Sequence, residues 1–200
     1  MILRAARKII QQPRRVGTGL CFEPVPVDPL LAEQTKQLCE RIGYYGVFEL
    51  EFILAEGKAM LIDFNGRFYH QIAFDIARGM ELPVLAYAAA TENQAEVTRL
   101  MTYGNSAKHA DIAGFCNYFV FATMIRMQRF LRTMSHKDAA RLLNWCRGSH
   151  GTMIDAVKDP LDALPAFVDT AQYLLHTLRH PRAFIRQCGL EPVGANVNVC

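Results

Sequence analysis

Residues 46–67, GVFELEFILAEGKAMLIDFNGR, decide how this chain folds. Apolar and polar residues alternate from Phe48, the segment AEGK interrupts them, and alternation resumes towards Asn65. A period of two marks a half-buried strand, and two such runs around a glycine-bearing break predict a β-hairpin. Successive side chains leave a strand on opposite faces. The even positions Phe48, Leu50, Phe52, Leu54, Met60, Ile62 and Phe64 are all apolar, whereas Glu49, Glu51, Asp63 and Asn65 occupy odd ones, with Ile53 and Leu61 nearer the turn.

For the apolar residues of both strands to share one face, opposing positions must have an even sum. A three-residue loop, Glu56-Gly57-Lys58, meets that condition and sets Glu51 opposite Asp63. Gly57 is suited to the left-handed position such a loop requires. A two-residue loop would oppose Glu51 to Ile62 and mix acid into the core, so the hydrophobic pattern selects the longer one. The expectation is that Phe48, Leu50, Phe52, Ile62 and Phe64 are buried together.

Working outward, ILRAARKII and PRRVGTGLCF predict two strands joined by a Pro/Gly loop. Asp28 and Pro29 open a helix over LLAEQTKQLCERIG, with Leu31, Leu38 and Ile42 on one face and Gly43 at its stop. After the hairpin, one helix runs near His70 to Arg78 and ends at Gly79, and Pro83 opens the next. The last hundred residues read as mostly helical. Ser135 and Asp138 form a capping box before AARLLNWC. Leu164, Phe167, Val168, Ala171, Leu174, Leu175 and Leu178 have the spacing of one buried helical face. Strands first and helices later, without βαβ alternation, predict an α+β fold.

Composition narrows the function classes. With 200 residues, 51% of them hydrophobic, the chain can bury one sizeable core. A net charge of +3 is far from the concentrated basic surface of a nucleic-acid binder. The apolar run GFCNYFVFATMI is broken by Asn117 and is shorter than the ~20 residues that span a bilayer. The acid-free start, MILRAARKIIQQPRRVGTGL, lacks the serines of a targeting segment, and Gln11, Gln12 and Pro13 break an amphipathic helix. Cys21, Cys39, Cys116, Cys146, Cys188 and Cys200 show no CxxC pair, which predicts buried reduced thiols in a cytoplasmic protein. A structural zinc site needs close ligand pairs, and by this reading neither cysteines nor histidines supply them at the usual spacings.

The polar face of the hairpin carries the chemistry. Two carboxylates opposed at about 4–5 Å repel by roughly 3–4 kcal/mol at an effective dielectric near 20, before salt screening. A solvated face, a shared proton, an arginine partner or a divalent cation would each relieve that repulsion. Two carboxylates beside an amide oxygen form a hard oxygen set suited to Mg²⁺, which completes its shell with water and phosphate. Arg67, two residues beyond Asn65, can fork onto a phosphate or carboxylate.

The ordered stretch GYYGVFELEFILAEGKAMLIDFNGRFYHQIAFDIARGMELPVLAYAAA resembles the C-terminal part of the ATP-grasp domain of carboxylate–amine ligases. In that family an acid-bearing strand pairs with a strand of the form liEiNpR, followed by a helix, a glycine and a Pro-led helix. The likeness spans roughly Arg4 to Glu92. It implies a C-terminal ATP-grasp subdomain over residues 1–95, with an antiparallel sheet packed by helices, and a helical C-terminal extension over 96–200. It further implies that Glu51 and Asp63 hold Mg²⁺, or Mn²⁺, bridging ATP phosphates, that Asn65 is a further metal ligand, and that Arg67 faces the transferred phosphate or acyl phosphate. Arg7 and Lys8 on the first strand would reach phosphate.

In the family, a carboxylate is activated as an acyl phosphate and attacked by an amine. The partners implied are ATP, a small carboxylate, an amine acceptor, the preceding part of the enzyme with its glycine-rich loop, and a second copy if the enzyme is a homodimer. The sequence departs from the pattern twice. Asp63 stands where glutamate is usual, withdrawing the carboxylate by about 1.5 Å, and Gly66 replaces proline, loosening the loop that carries Arg67. A rival reading is a catalytically degenerate module of the same fold that binds protein. DAVKDPLDALP, from Asp155, resembles a segment near the end of some ATP-grasp proteins, where it would help pack the helical tail.

Overall fold

Asp28 shows how local chemistry sets the elements. Its side chain accepts from the Leu31 amide at 3.0 Å, Pro29 occupies the first turn, and the helix runs until Gly43 adopts a left-handed φ of 63°. The computed structural model describes residues 1–12, 18–106, 112–147, 152–159 and 161–182. Within them the order is β1 (Ala5–Gln12), β2 (Thr18–Val25), α1 (Pro29–Ile42), β3 (Glu49–Ala55), β4 (Lys58–Asn65), α2 (Ile72–Ala77), α3 (Leu82–Ala90) and α4 (Gln94–Asn105). There follow β5 (Ile112–Cys116), α5 (Tyr118–Phe130), α6 (His136–Cys146), β6 (Thr152–Asp155) and α7 (Leu164–Arg179). The fold is α+β. The Pro/Gly loop expected between β1 and β2, and Cys188 and Cys200, lie outside the described residues.

The described residues gather into two compact units. One comprises residues 1–7 and 24–106 with Ile112; the other comprises 8–12, 18–23 and the described residues from 113 onward. A four-stranded sheet has the order β1-β2-β5-β6, and β3 and β4 form a separate two-stranded sheet. No helix among the described residues is long and apolar enough to cross a membrane.

In the second unit, β2 and β5 pair antiparallel with Cys21 opposite Cys116. Their sulfurs lie 3.1 Å apart in a core with Phe121, Met124, Ile125, Met134, Ala139, Leu142 and Cys146. The four described cysteines are all buried and free. Asn117 divides the apolar run at Gly114 into a strand and a helix: its side chain caps α5 by accepting from the Val120 amide at 3.3 Å. The capping box of α6 is present, with the Asp138 amide donating to Ser135 Oγ at 3.1 Å. In DAVKDPLDALP, Asp155, Asp159 and Asp162 each accept from backbone amides two or three residues on, as side chains that fold turns do.

Three apolar faces differ from expectation. Leu31 and Leu38 of α1 are half-buried beside Thr35 and Cys39, but Ile42, at the helix end, is 55% exposed. No residue of α7 is buried: Leu164, Phe167, Leu174, Leu175 and Leu178 all face outward, so its periodicity marks an amphipathic helix and not a core one. The third is the hairpin.

A candidate acidic site on the hairpin

The turn between β3 and β4 has two residues, Glu56 and Gly57, with φ of 51° and 74°. Positive φ at both central residues is the two-residue turn whose twist matches that of the strands, and it was favoured over the expected three-residue loop. Such a turn gives odd sums: Ala55 opposes Lys58, Leu54 opposes Ala59, Ile53 opposes Met60, and Phe52 opposes Leu61. The register then shifts, Ile62 is skipped, and Glu51 opposes Asp63, Leu50 opposes Phe64, and Glu49 opposes Asn65. A β-bulge at Ile62 thus reconciles the turn with the apolar pattern.

Its cost falls on Ile62, which is 53% exposed instead of joining Phe48, Leu50, Phe52 and Phe64, themselves half-buried. Leu61 moves to pair with Phe52, away from the parity assigned to it above. The apolar face at the motif end is secured by aromatic rings. Phe48 and Phe64 stack at 6.0 Å, and Tyr44 meets Phe64 edge-on at 5.2 Å while donating to the Val47 carbonyl at 2.7 Å. Gly66 passes close to these rings: a β-carbon there would lie 3.1 Å from Tyr44 Cε2 and 3.3 Å from Phe64 Cε1.

On the polar face, Asn65 stands between the acids and the arginine. Its Nδ2 donates to Asp63 Oδ2 at 2.9 Å and to Glu49 Oε2 at 3.5 Å, while its Oδ1 accepts from Arg67 Nη2 at 3.1 Å. Arg67 also donates through Nη1 to the Phe68 carbonyl at 3.0 Å. A neutral donor therefore offsets part of the carboxylate repulsion, an arrangement absent from the four considered above. For Asn65 to ligate a cation beside Glu51 and Asp63, its amide must turn over and release Arg67.

The structure thus brings Glu51, Asp63, Asn65 and Arg67 onto one side of the hairpin end. Arg7 and Lys8 lie on β1 in the other sheet, and as consecutive strand residues they point to opposite faces. Two site residues went unassigned above. Glu49 also accepts from Gln71 Nε2, which ties the start of α2 to the first residue of β3. Glu49 has the same parity as Glu51, so the pattern held the signal; Gln71 had none, because its role depends on how residues 66–71 loop back.

Behind that loop lies a buried network. Tyr69 donates to Asp75 Oδ2 at 2.6 Å, and Arg78 donates to Asp75 Oδ1 at 3.2 Å and to the Ala5 carbonyl at 3.1 Å. Burial lifts the Asp75 carboxyl above the ordinary range, although the Tyr69 bond and the Arg78 charge pull it down, and burial lowers the Arg78 guanidinium. Tyr69 packs with Met80 and Leu82 against Ile2, Val47, Ile72 and Leu85. Among the described residues no group of three His, Cys, Asp or Glu side chains is placed to hold a metal ion. Glu49, Glu51 and Asp63 therefore do not form such a group by themselves, and the expected set completes the two carboxylates with the Asn65 amide. Comparison with family models, curated proteins and solved structures found no match.

Proposed function

We propose that this chain is the C-terminal catalytic portion of a cytoplasmic, ATP- and Mg²⁺-dependent carboxylate–amine ligase of the ATP-grasp type. The observation that carries the reading is the register: Glu51 opposes Asp63, and Asn65 and Arg67 continue the same polar side. Glu51 and Asp63 would hold Mg²⁺, with Asn65 as a third oxygen ligand once its amide has turned. Held there, the ion would supply charge neutralisation to the phosphates. Arg67, freed from Asn65, orients the phosphate or acyl phosphate with its planar fork. The Gln71–Glu49 bond ties the start of α2 to this face.

The test is calorimetric titration of Mg²⁺–ATP into the chain joined to the upstream portion that the resemblance requires, compared with Asp63→Asn. Mg²⁺ and ATP together should stabilise wild type more than either alone, because Mg²⁺ keeps part of its water shell and binds weakly without phosphate. The substitution should weaken joint binding at least tenfold. Equal affinity in both proteins would reduce the acids to a solvated face. The second reading, a protein-binding module, is favoured by one observation, the exposed apolar residues of α7. It predicts no nucleotide-dependent stabilisation in either protein.

A further inference from the structure

We propose that His176 and His180, at the C-terminal end of α7, form a binding site for a transition-metal ion such as Zn²⁺, separate from the acidic hairpin. The two are one helical turn apart, a ligand pair that the sequence reading passed over. The His180 amide donates to the His176 carbonyl at 2.9 Å, so His180 caps the helix one turn beyond His176, and the two rings lie side by side. Both side chains are exposed.

Their ring centres are 4.9 Å apart, with the planes at 49°. A zinc–imidazole bond of about 2.0–2.1 Å places each ring centre roughly 3.2 Å from the ion, so two rings on one tetrahedral ion stand about 5 Å apart. The observed spacing matches without rearrangement of the helix. Imidazole nitrogens suit Zn²⁺, Ni²⁺ and Cu²⁺, whereas Mg²⁺ prefers oxygen and would not compete. The site also lies where a helix carries its partial negative charge, which counters the repulsion from Arg179.

Two features define what the site can do. Thr177 follows His176, at the place where helical zinc hydrolases of the H-E-x-x-H type carry their glutamate base, so this pair binds without supplying hydrolytic chemistry. No third His, Cys, Asp or Glu completes the group among the described residues. The ion therefore keeps open positions for water or for a ligand from another molecule.

The experiment is isothermal titration of ZnCl₂ into the intact chain, wild type and the exposed-site variants His176→Gln and His180→Gln, each with and without a large excess of MgCl₂. Circular dichroism of each variant checks that the helix is retained. The expected result is one Zn²⁺ whose affinity falls at least tenfold in each variant and is unchanged by Mg²⁺. Zinc bound elsewhere, for example by cysteines, would be unaffected by either substitution. Wild-type affinity in both variants, no zinc binding by wild type, or displacement by Mg²⁺ would overturn the assignment.

Discussion

Glu51 faces Asp63 across the hairpin because Ile62, between them and the turn, is bulged out of the ladder. The acid pair and the two-residue turn require opposite parities, and one extra residue satisfies both. The strained position in this compromise is Glu56, a non-glycine residue at φ 51°. Asn tolerates that conformation far better and is favoured before Gly in such turns. Glu56→Asn should therefore stabilise the chain by about 0.5–1 kcal/mol in urea denaturation, a gain typical of relieving an unfavourable backbone conformation. A loss of stability would show that the turn has another geometry.

How much of this was legible can be traced residue by residue. Helix starts were readable where a side chain announces them: Asp28 and Ser135 cap as expected because an Asx or Ser side chain needs only local geometry. The short strands β5 and β6 were not, since five and four residues carry too little periodicity. The opposition of Glu51 to Asp63 was readable from parity, but the turn was not, because parity over a whole hairpin assumes no bulge. The exposed face of α7 shows a further limit. Periodicity says which residues share a face, and the rest of the chain decides whether anything covers it.

The Tyr69–Asp75–Arg78 network supports the loop that carries Arg67. Asp75 is 9% exposed and Arg78 5%, and Asp75→Asn replaces one of the two acceptor oxygens between Tyr69 and Arg78 with a donor. Because burial already favours the neutral acid over the ionised one, the substitution should cost only about 1–2 kcal/mol, for the hydrogen bond it breaks. Tyr69→Phe, which removes the same bond from the other side, should cost about as much. Because the folded Asp75 carboxyl lies above its unfolded value, its contribution favours the fold at low pH and is lost as pH rises through the raised value. Urea melts across that range should show this downward component in wild type and not in Asp75→Asn.

The sulfur cluster of Cys21, Cys116 and Cys146 should be chemically quiet. Burial lifts the Cys21 thiol above the ordinary range. For Cys146 the hydrogen bond with Cys116 and then burial do the same. Cys116 is drawn down by its bond with Cys146, but the bond with Cys21 and burial outweigh that and lift it too. Only the thiolate reacts readily, so these residues should resist iodoacetamide in the native protein and label after unfolding. Peptide-resolved mass spectrometry would report each site, and rapid native labelling at Cys116 would contradict the packing.

Asn65 offers the sharpest probe of the acidic face in the chain by itself. Its amide donates to Asp63 and Glu49 and accepts from Arg67, so Asn65→Asp removes a donor from the acids and adds a third charge beside them. Arg67 gains a closer ion pair, but Asp63 and Arg67 are exposed and that gain is screened. The net effect should be a loss of about 1 kcal/mol at low ionic strength, shrinking as salt is raised above ~0.1 M because the repulsion is between partly solvated charges. Millimolar Mg²⁺ should restore more stability to Asn65→Asp than to wild type, beyond what NaCl of equal ionic strength restores. That excess would measure divalent chelation by Glu51, Asp63 and the new carboxylate, since general screening does not distinguish the two salts. If MgCl₂ and NaCl act alike at matched ionic strength, the three carboxylates do not converge on a common point without phosphate, and ligation by Glu51 and Asp63 then stands or falls on the Mg²⁺–ATP titration.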